Sequence, residues 1–314
     1  MRIDLLNFEN DSRFGLQPAM LGYTALPLAC IESTMSSSSL EININKVSGA
    51  QQQSLADRVA VEEPLEIRLG YSTPAGRTAT SISITMRTPG HDAELATGFL
   101  LSESIIRRSQ DIESVQSCGP PAPDSGNHNI VRVDLAADVQ VDLDRLQRHF
   151  YTTSSCGVCG KSSLAALQIS GAKRHPDGGT RFSRELLIAL PDKLRDAQKT
   201  FAETGGLHAA AAFDSQGELL VTREDVGRHN AVDKVIGVLL KRDLLPADDL
   251  GLIVSGRTSF ELMQKTLMAG MPLLAAVSAP SSLAVQLARE FNVSLIGFLR
   301  GDTFNIYAGE ERII

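Results

Sequence analysis

The alternation of apolar and polar residues predicts a small α+β unit in the first half of the chain. Apolar residues occupy every second position over 65–69 and again over 82–86, which is typical of half-buried strands. Thr73-Pro-Ala-Gly76 lies between them and supplies turn chemistry, so the two strands are predicted to form a hairpin. A helical spacing then runs from Asp92 to about Ile105, and a further strand pattern covers 130–135.

The second half of the chain, from near Phe150, alternates helical and strand patterns. Helices are predicted over 161–169, 192–203, 230–241, 260–268 and 283–291. Strands are predicted over 207–213, 218–222, 252–255, 273–277, 295–299 and 304–307. This alternation is typical of a layered α/β domain in which helices pack against a sheet.

The first 55 residues differ from the rest of the chain. They contain the serine tract 36–39 and the glutamine run 51–53, and they show no sustained period. We expect them to form a low-complexity, disordered extension. The predicted organisation is therefore an extension over 1–55, a small α+β domain over 56–149 and a larger α/β domain over 150–314.

Composition and charge narrow the class of protein. The 314 residues are 43% hydrophobic and 21% charged, which is typical of a soluble globular chain. The formal net charge is −7, from 30 Lys and Arg against 37 Asp and Glu, which argues against broad nucleic-acid binding. The sequence predicts no transmembrane helix, and its amino terminus lacks the basic region of a signal peptide. We expect a cytoplasmic protein with neither membrane nor nucleic acid as a partner.

The sharpest local motif is Ser154-Ser-Cys156-Gly-Val-Cys159-Gly-Lys161, a glycine-rich loop before a predicted helix. The thiolate is the reactive form of cysteine, and both a helix N-terminus and the ammonium of Lys161 favour it. The glycines leave room for another molecule to approach the sulfur. A second thiol three residues away can resolve a persulfide or a disulfide on the first.

The cysteine motif alone is compatible with several chemistries. A structural zinc site needs four ligands, and Cys30 and Cys118 are unpaired while His149 stands alone nearby. A thioredoxin-like dithiol usually follows a strand directly, and residues 150–155 make a poor buried strand. A sulfur carrier, in which one cysteine holds sulfane sulfur, and a pair of unreactive structural cysteines are the remaining interpretations.

A charged motif, Arg223-Glu-Asp-Val-Gly-Arg-His-Asn-Ala-Val-Asp-Lys234, links a predicted strand to a predicted helix. A strand-to-helix junction is a natural anion site because backbone N–H groups point out of the helix. Glu224, Asp225 and His229 could transfer protons, since histidine titrates near neutrality. The other interpretation is a solvated loop that caps the helix.

Further polar loops follow the later strands. Ser255-Gly-Arg257-Thr-Ser259 suits a phosphate held by backbone N–H groups, although it is not a Walker A loop. The loops 278–282 and 297–302 occupy equivalent places, and 204–208 adds a glycine turn and a histidine. Loops after successive strands of an open α/β sheet usually line one ligand crevice, so we expect these to lie together.

Six stretches taken in order resemble the formate dehydrogenase accessory sulfurtransferase family, FdhD. They are the cysteine motif, 204–208, 223–234, the stretch from Ser255 to Glu261, 278–282 and 297–302. The resemblance covers about residue 60 to the end. It implies a cytidine-deaminase-like α/β fold preceded by a small α+β part. Deaminase chemistry is not expected, because the chain has neither an H-x-E triplet nor a P-C-x-x-C pair.

The resemblance also implies a function. A cysteine desulfurase passes sulfane sulfur to Cys156 as a persulfide, and Cys159 assists or relays it. The sulfur then goes to the molybdenum, or tungsten, of Mo-bis(molybdopterin guanine dinucleotide), which the formate dehydrogenase needs for activity. This cofactor is bound as a substrate, with no intrinsic metal in the protein. The family is typically a homodimer.

The cofactor contacts that the resemblance implies fall on the segment matching Phe298, Leu299, Arg300, Gly301, Asp302 and Thr303. Arg300, Arg257 and Arg228 are expected to bind phosphates, because arginine forms bidentate bonds to them, and His229 is placed beside them. Asp302 could accept hydrogen bonds from a guanine edge. An alternative function is a molybdenum-cofactor chaperone for formate dehydrogenase that does not transfer sulfur. A zinc-dependent nucleotide hydrolase is a third hypothesis.

Overall fold

The computed structural model describes residues 38–123, 125–141 and 171–314, which form three sheets and six α-helices. The strands are β1 (Ser39–Ser48), β2 (Gln51–Ala60), β3 (Glu63–Thr73), β4 (Gly76–Arg87), β5 (Ile112–Pro121), β6 (His128–Leu135), β7 (His208–Phe213), β8 (Leu219–Asp225), β9 (Gly251–Val254), β10 (Leu273–Ala276), β11 (Ser294–Arg300) and β12 (Thr303–Ala308). The helices are α1 (Asp92–Ser102), α2 (Arg184–Ala197), α3 (Lys199–Thr204), α4 (Arg228–Lys241), α5 (Phe260–Met268) and α6 (Ser282–Glu290). Among these residues no helix has the length and apolar character needed to cross a membrane.

The first sheet has four strands in the order β4-β3-β6-β5, and it confirms the predicted hairpin. Leu65, Ile67 and Leu69 of β3 are buried against the core, as their alternation predicts. Strand β4 departs from its prediction, because Ile82 is buried but Ile84 is 70% exposed. The register shifts by one residue at Ile82, where β4 carries a bulge. A bulge reverses the faces of all later residues in its strand, so Ile84 points away from the core.

The second sheet has six strands in the order β12-β11-β10-β9-β7-β8. Strands β9, β10 and β11 are parallel, and β12, β7 and β8 are antiparallel to their neighbours. Every residue of β9 and β10 is buried, since α2 covers one face of the sheet and α4, α5 and α6 cover the other. Parallel strands that are covered on both faces appear in the sequence as continuous apolar runs. The predicted layered α/β architecture is confirmed.

Helices α1 and α4 join the two sheets. A Cβ at Gly98 of α1 would collide with the carbonyl of Asp233, and one at Gly237 of α4 would collide with that of Glu94. The two glycines therefore allow the helix backbones to approach closely. As a result, buried residues of both sheets belong to one hydrophobic core.

Two predictions need correction. Residues 39–55 were expected to be disordered, but β1 and β2 pair antiparallel from Ser39↔Ala60 to Ser48↔Gln51. Leu40, Ile42 and Ile44 alternate with polar residues there, which is a strand signal inside a polar composition. The helix predicted over 192–203 is broken at Gln198, which is buried and has non-helical dihedrals. The extension over 1–37 and the helix over 161–169 lie outside the described residues.

Candidate functional site

The candidate site lies at one edge of the six-stranded sheet, which we call the carboxyl edge. The parallel strands β9, β10 and β11 all end there. Strand β7 runs the other way, so its first residue, His208, is at this edge and pairs with Asp225, the last residue of β8. The strand order therefore brings five polar stretches to this edge of the sheet, as the alternation predicts. They are 204–208, 223–234, 255–259, 278–282 and 297–302.

Backbone hydrogen bonds connect the loops after neighbouring strands. The N–H of Thr258 donates to the carbonyl of Ala279 at 3.2 Å, and that of Ser281 donates back to Thr258 at 2.9 Å. The N–H of Phe298 donates to the carbonyl of Ser278 at 3.2 Å. The loops after β9 and β10 and the end of β11 thus form one continuous rim.

Arg228, His208 and Gly256 are brought together at the β7–β9 end of this rim. A Cβ at Gly256 would lie 3.4 Å from both the Arg228 Cδ and the His208 Nδ1, so the glycine packs against both side chains. The Arg228 Nε and the Thr258 Oγ1 are buried and have no hydrogen-bond partner among the residues that the structure describes. Buried polar atoms are nearly always satisfied, so these two atoms call for a ligand or a water. Each of the two groups can donate a hydrogen bond to such a ligand.

Both histidines near Arg228 are held in the neutral form. Burial and the charge of Arg228 lower the pKa of His208, although Asp225 opposes the shift. Burial, Arg228 and Lys265 lower the pKa of His229 to about 4. Its Nε2 lies 3.4 Å from the Ser259 Oγ. At neutral pH the positive charge here therefore comes from arginine, while the imidazoles can donate or accept hydrogen bonds.

The segment 298–303 comprises the end of β11, a sharp turn at residues 301–302 and the first residue of β12. Phe298 has a φ of 53° and Gly301 a φ of 56°, so both lie in the left-handed region. The Arg300 guanidinium carbon is 5.8 Å from the centroid of the Phe298 ring, a cation–π contact. The Thr303 hydroxyl donates to the Arg300 carbonyl at 3.3 Å. This turn presents an aromatic ring and a guanidinium together.

The predicted contact residues differ in accessibility. Arg257, Arg300, Gly301, Asp302 and Thr303 are exposed, and Phe298 is half-buried. Leu299 is fully buried in the core beside α2. Its side chain therefore packs within the protein, and only its backbone is available to a ligand. Cys156 and Cys159 lie outside the described residues.

The two acidic candidates for proton transfer have structural roles. The Glu224 carboxylate accepts from the backbone N–H groups of Thr200 and Phe201 at 3.0 and 2.8 Å. Asp225 is fully buried and paired with Lys234 at 2.7 Å. Sequence reasoning missed Lys234 and Thr258 as individual residues of the site, although both lie within motifs that it singled out. No group of three His, Cys, Asp or Glu side chains in the described part of the chain could hold a metal ion.

The sequence is similar to one protein family and to individual proteins along most of its length. A model of the FdhD/NarQ family matches residues 60–314. A Mycolicibacterium paratuberculosis protein named sulfur carrier protein FdhD is 51% identical over 273 residues, covering 86% of this chain and 97% of that protein. A protein of the same name from Streptomyces coelicolor is 50% identical over 261 residues, covering 82% and 89%. Another from Sulfurisphaera tokodaii is 45% identical over 258 residues, covering 82% and 92%.

Comparison with solved structures supports the fold. A crystal structure from Desulfotalea psychrophila, described as a formate dehydrogenase accessory protein, matches with a TM-score of 0.67. The match covers 88% of this chain and 100% of that chain at 21% sequence identity. At this identity the likeness concerns the fold alone.

Proposed function

This chain belongs to the FdhD/NarQ family, and on that premise we propose that it is a sulfur carrier in the maturation of formate dehydrogenase. The observation that carries the proposal is the near full-length match to proteins named sulfur carrier protein FdhD, at 45–51% identity. The expected motif is present, with Cys156 and Cys159 in a glycine-rich loop.

The first step is sulfur uptake from a cysteine desulfurase. The Cys156 thiolate attacks the terminal sulfur of a persulfide on the desulfurase. The donor's S–S bond breaks, a new S–S bond forms on Cys156, and the donor cysteine leaves as a thiolate. Electrons balance without an external oxidant, because sulfane sulfur is only exchanged between thiols.

The second step delivers this sulfur to the metal, molybdenum or tungsten, of bis(molybdopterin guanine dinucleotide). Transfer as sulfide requires two electrons. The Cys159 thiolate can supply them by attacking the Cys156 sulfur, which forms a disulfide and releases hydrosulfide toward the metal. A cellular dithiol then reduces the disulfide. The proposed role of Cys159 is thus relay and release.

The carboxyl edge supports binding of this cofactor, which is the substrate of the carrier. Its guanine dinucleotide arms carry phosphates, and the Arg228 Nε and Thr258 Oγ1, which lack a partner among the described residues, can donate hydrogen bonds to phosphate oxygens. Exposed Arg257 and Arg300 lie on the same rim. Adjacent strands are about 4.8 Å apart, so the loops after β9 and β11 lie about 10 Å from each other. That separation suits an extended nucleotide, with Asp302 near a guanine edge and His229 as a neutral hydrogen-bonding group.

Three further properties follow from family membership as proposals. The partners are a cysteine desulfurase and formate dehydrogenase, the protein is a homodimer, and it works in the cytoplasm. Sedimentation of the purified chain is expected to give twice the mass of 33.7 kDa calculated from the sequence. A monomer at micromolar concentration would contradict the dimer.

Intact-protein mass spectrometry tests the carrier step. Wild type, Cys156→Ala and Cys159→Ala are incubated with a cysteine desulfurase and cysteine. We expect a reducible gain of one sulfur atom, about 32 Da, in the wild type and none in Cys156→Ala. Cys159→Ala is expected to retain the added sulfur, because it lacks the thiol proposed to release it.

The contradicting result is an absence of added sulfur together with full activation of formate dehydrogenase by folded Cys156→Ala. That outcome would favour a chaperone that holds the cofactor without transferring sulfur. Arg300→Ala separates the two functions further, since it is expected to impair cofactor binding while leaving persulfide formation on Cys156 intact.

A further inference from the structure

Two consecutive residues of α4, Asp233 and Lys234, each form a buried ion pair. The Lys234 Nζ lies 2.7 Å from the Asp225 carboxylate, and their side chains are 1% and 0% exposed. The Lys265 Nζ lies 2.7 and 2.8 Å from the two oxygens of Asp233. The two pairs match in chemistry and burial but connect different parts of the molecule.

The Asp225 carboxylate organises the turn that leads into α4. One oxygen accepts from the backbone N–H of Gly227 at 2.8 Å and from the Asn230 side chain at 3.0 Å. The other accepts from the backbone N–H of Thr88 at 3.2 Å. These bonds bracket residues 228 and 229, because the carboxylate holds the backbone of Gly227 on one side and the side chain of Asn230 on the other.

Lys234 and its neighbours fasten this turn to the end of β4. The Lys234 ammonium donates to the carbonyls of Thr88 at 3.0 Å and Glu224 at 3.3 Å. The Asn230 amide donates to the carbonyl of Met86 at 2.8 Å. The N–H of Val226 donates to the Thr88 hydroxyl at 3.2 Å. The turn that carries Arg228 and His229 is therefore tied to the end of β4 in the four-stranded sheet. None of the predicted cofactor-binding residues lies in that sheet.

In the described part of the chain, the hydrogen bonds of the second pair join helices to one another and not to this turn. Asp233 accepts from Lys265 of α5 and from the hydroxyl of Ser102 in α1 at 2.9 Å. The Lys265 ammonium also lies 5.9 Å from the centroid of the Phe99 ring. Among the described residues this pair connects three helices, so it provides a control of equal chemistry.

We infer that Asp225 and Lys234 are positioning residues, which orient Arg228 and His229 to receive a phosphate group at the carboxyl edge. The ligand class, a guanine nucleotide phosphate, rests on the proposed function. The positioning itself rests on the hydrogen bonds from β4 to the turn. Neither residue needs to touch the ligand, because each acts through the backbone that carries Arg228.

Isothermal calorimetry with guanosine diphosphate tests the inference on the full chain. Asp225→Asn is compared with Asp233→Asn, which removes the same charge from the second pair and keeps Lys265, whose charge acts on His229. We expect Asp225→Asn to weaken binding by at least about tenfold, since misplacing a binding group by about 1 Å has large effects. Asp233→Asn is expected to stay within about twofold of wild type, a change too small for a displaced arginine.

A spectroscopic readout separates positioning from stability. The titration of His229 is followed by NMR through its imidazole C2–H, assigned with His229→Gln. In the wild type and in Asp233→Asn its midpoint is expected near the pKa of about 4. In Asp225→Asn the ring loses its fixed, buried place, and the midpoint rises toward about 6.5. Thr88→Ala removes only the hydroxyl bond to Val226 and is expected to shift the midpoint in the same direction by less.

Each outcome bears on one proposal. Equal loss of binding in Asp225→Asn and Asp233→Asn, or an unchanged His229 midpoint in Asp225→Asn, would overturn the positioning role. If Asp225→Asn does not fold, Asp225→Glu, which keeps the charge but moves the carboxylate, decides through the same two readouts. If wild type binds no guanosine diphosphate, cofactor binding at this edge fails, while the NMR titration still decides the positioning.

Discussion

The two buried ion pairs of α4 can be compared almost atom for atom. Asp233 and Lys234 are neighbours in the chain, and each has its partner at 2.7 Å. Asp233 connects α4 to two other helices, α1 and α5. Lys234 instead connects Asp225, at the end of β8 in one sheet, to Thr88, which follows β4 in the other sheet. The same interaction thus serves packing on one side of the helix and a candidate binding site on the other.

The energetics of buried ion pairs explain why it matters that the two pairs connect different parts of the molecule. Desolvation of two charges offsets much of their attraction, so a buried pair adds little net stability over apolar residues of the same size. Removing one partner is costly, because the other charge is left buried alone. A pair retained inside a protein therefore suggests a requirement for a specific geometry. At Asp225 that geometry is the turn carrying Arg228.

The largest expected effect is the loss of stability caused by Lys234→Met. This substitution leaves the Asp225 carboxylate buried without its cation and should lower the free energy of unfolding by about 3–5 kcal/mol. Lys265→Met should cost a similar amount for the same reason. Urea denaturation measures both. We expect binding of guanosine diphosphate at 25 °C to be lost in Lys234→Met and retained in folded Lys265→Met. Binding that is retained in Lys234→Met and lost in Lys265→Met would contradict the difference drawn between the two pairs.

A third pair, between Glu94 and Arg223, extends the comparison to a site whose side chains are 20% and 19% exposed. Burial alone would raise the pKa of Glu94, but hydrogen bonds from Arg223 and His91 and the charge of Arg223 lower it to about 2. A carboxylate with a lowered pKa stabilises the fold above its unfolded pKa of about 4.5, and this contribution is lost as pH falls toward 2. The expected loss is about 2–3 kcal/mol.

Denaturation between pH 6 and pH 2.5 checks this sign. Glu94→Gln is expected to flatten the acid limb of the stability curve, because the group that takes up the proton on unfolding is gone. The binding of guanosine diphosphate at pH 7 should be unaffected. An unchanged acid limb in the variant would remove Glu94 as its source.

A smaller effect is expected from Arg228→Lys. The substitution keeps a positive charge but removes the Nε donor and the planar fork that suit a phosphate. We expect binding of guanosine diphosphate to weaken by about tenfold, or 1.4 kcal/mol, with stability nearly unchanged. Arg242→Lys, a substitution after the end of α4, serves as the control. Equal affinities of Arg228→Lys and wild type in calorimetry would exclude the Nε contact.

The smallest effect concerns pH near neutrality. The pKa of His229 is lowered to about 4, so the ring stays neutral from pH 6 to pH 8 and adds no charge to the site. Affinity for guanosine diphosphate should then change by less than about twofold over this range once the ligand's own phosphate titration is subtracted. Below pH 6 the folded state resists protonation of His229, so its contribution to stability declines as pH falls from about 6.5 to 4. A steep rise in affinity between pH 8 and pH 6 would contradict a neutral ring.

Most of the architecture could be predicted from periodicity. The span 260–268 was predicted as a helix and α5 has these bounds, because its apolar spacing is regular. The bulge at Ile82 could not be foreseen, since both registers give an alternating pattern and only the pairing with β3 distinguishes them. The hairpin β1–β2 was missed because serine and glutamine runs masked the alternation at Leu40.

The candidate site was predictable at the level of its loops but not of its supports. Motif order placed the loops at successive strand ends, and the sheet brings them to one edge. The roles of Asp225 and Lys234 could not be inferred, because charged residues in a loop are usually solvated. Both residues bond to the backbone of Thr88, which lies about 140 residues away and makes no motif with them.

Transfer of labelled sulfur tests the central claim most directly. The protein is charged on Cys156 with isotopically labelled sulfur by a cysteine desulfurase, purified, and mixed with inactive formate dehydrogenase holding an unsulfurated cofactor. We expect label in the isolated cofactor in proportion to restored activity with wild type, and neither label nor activity with Cys156→Ala. Restored activity with an unlabelled cofactor, or activation by Cys156→Ala, would contradict the sulfur-carrier function.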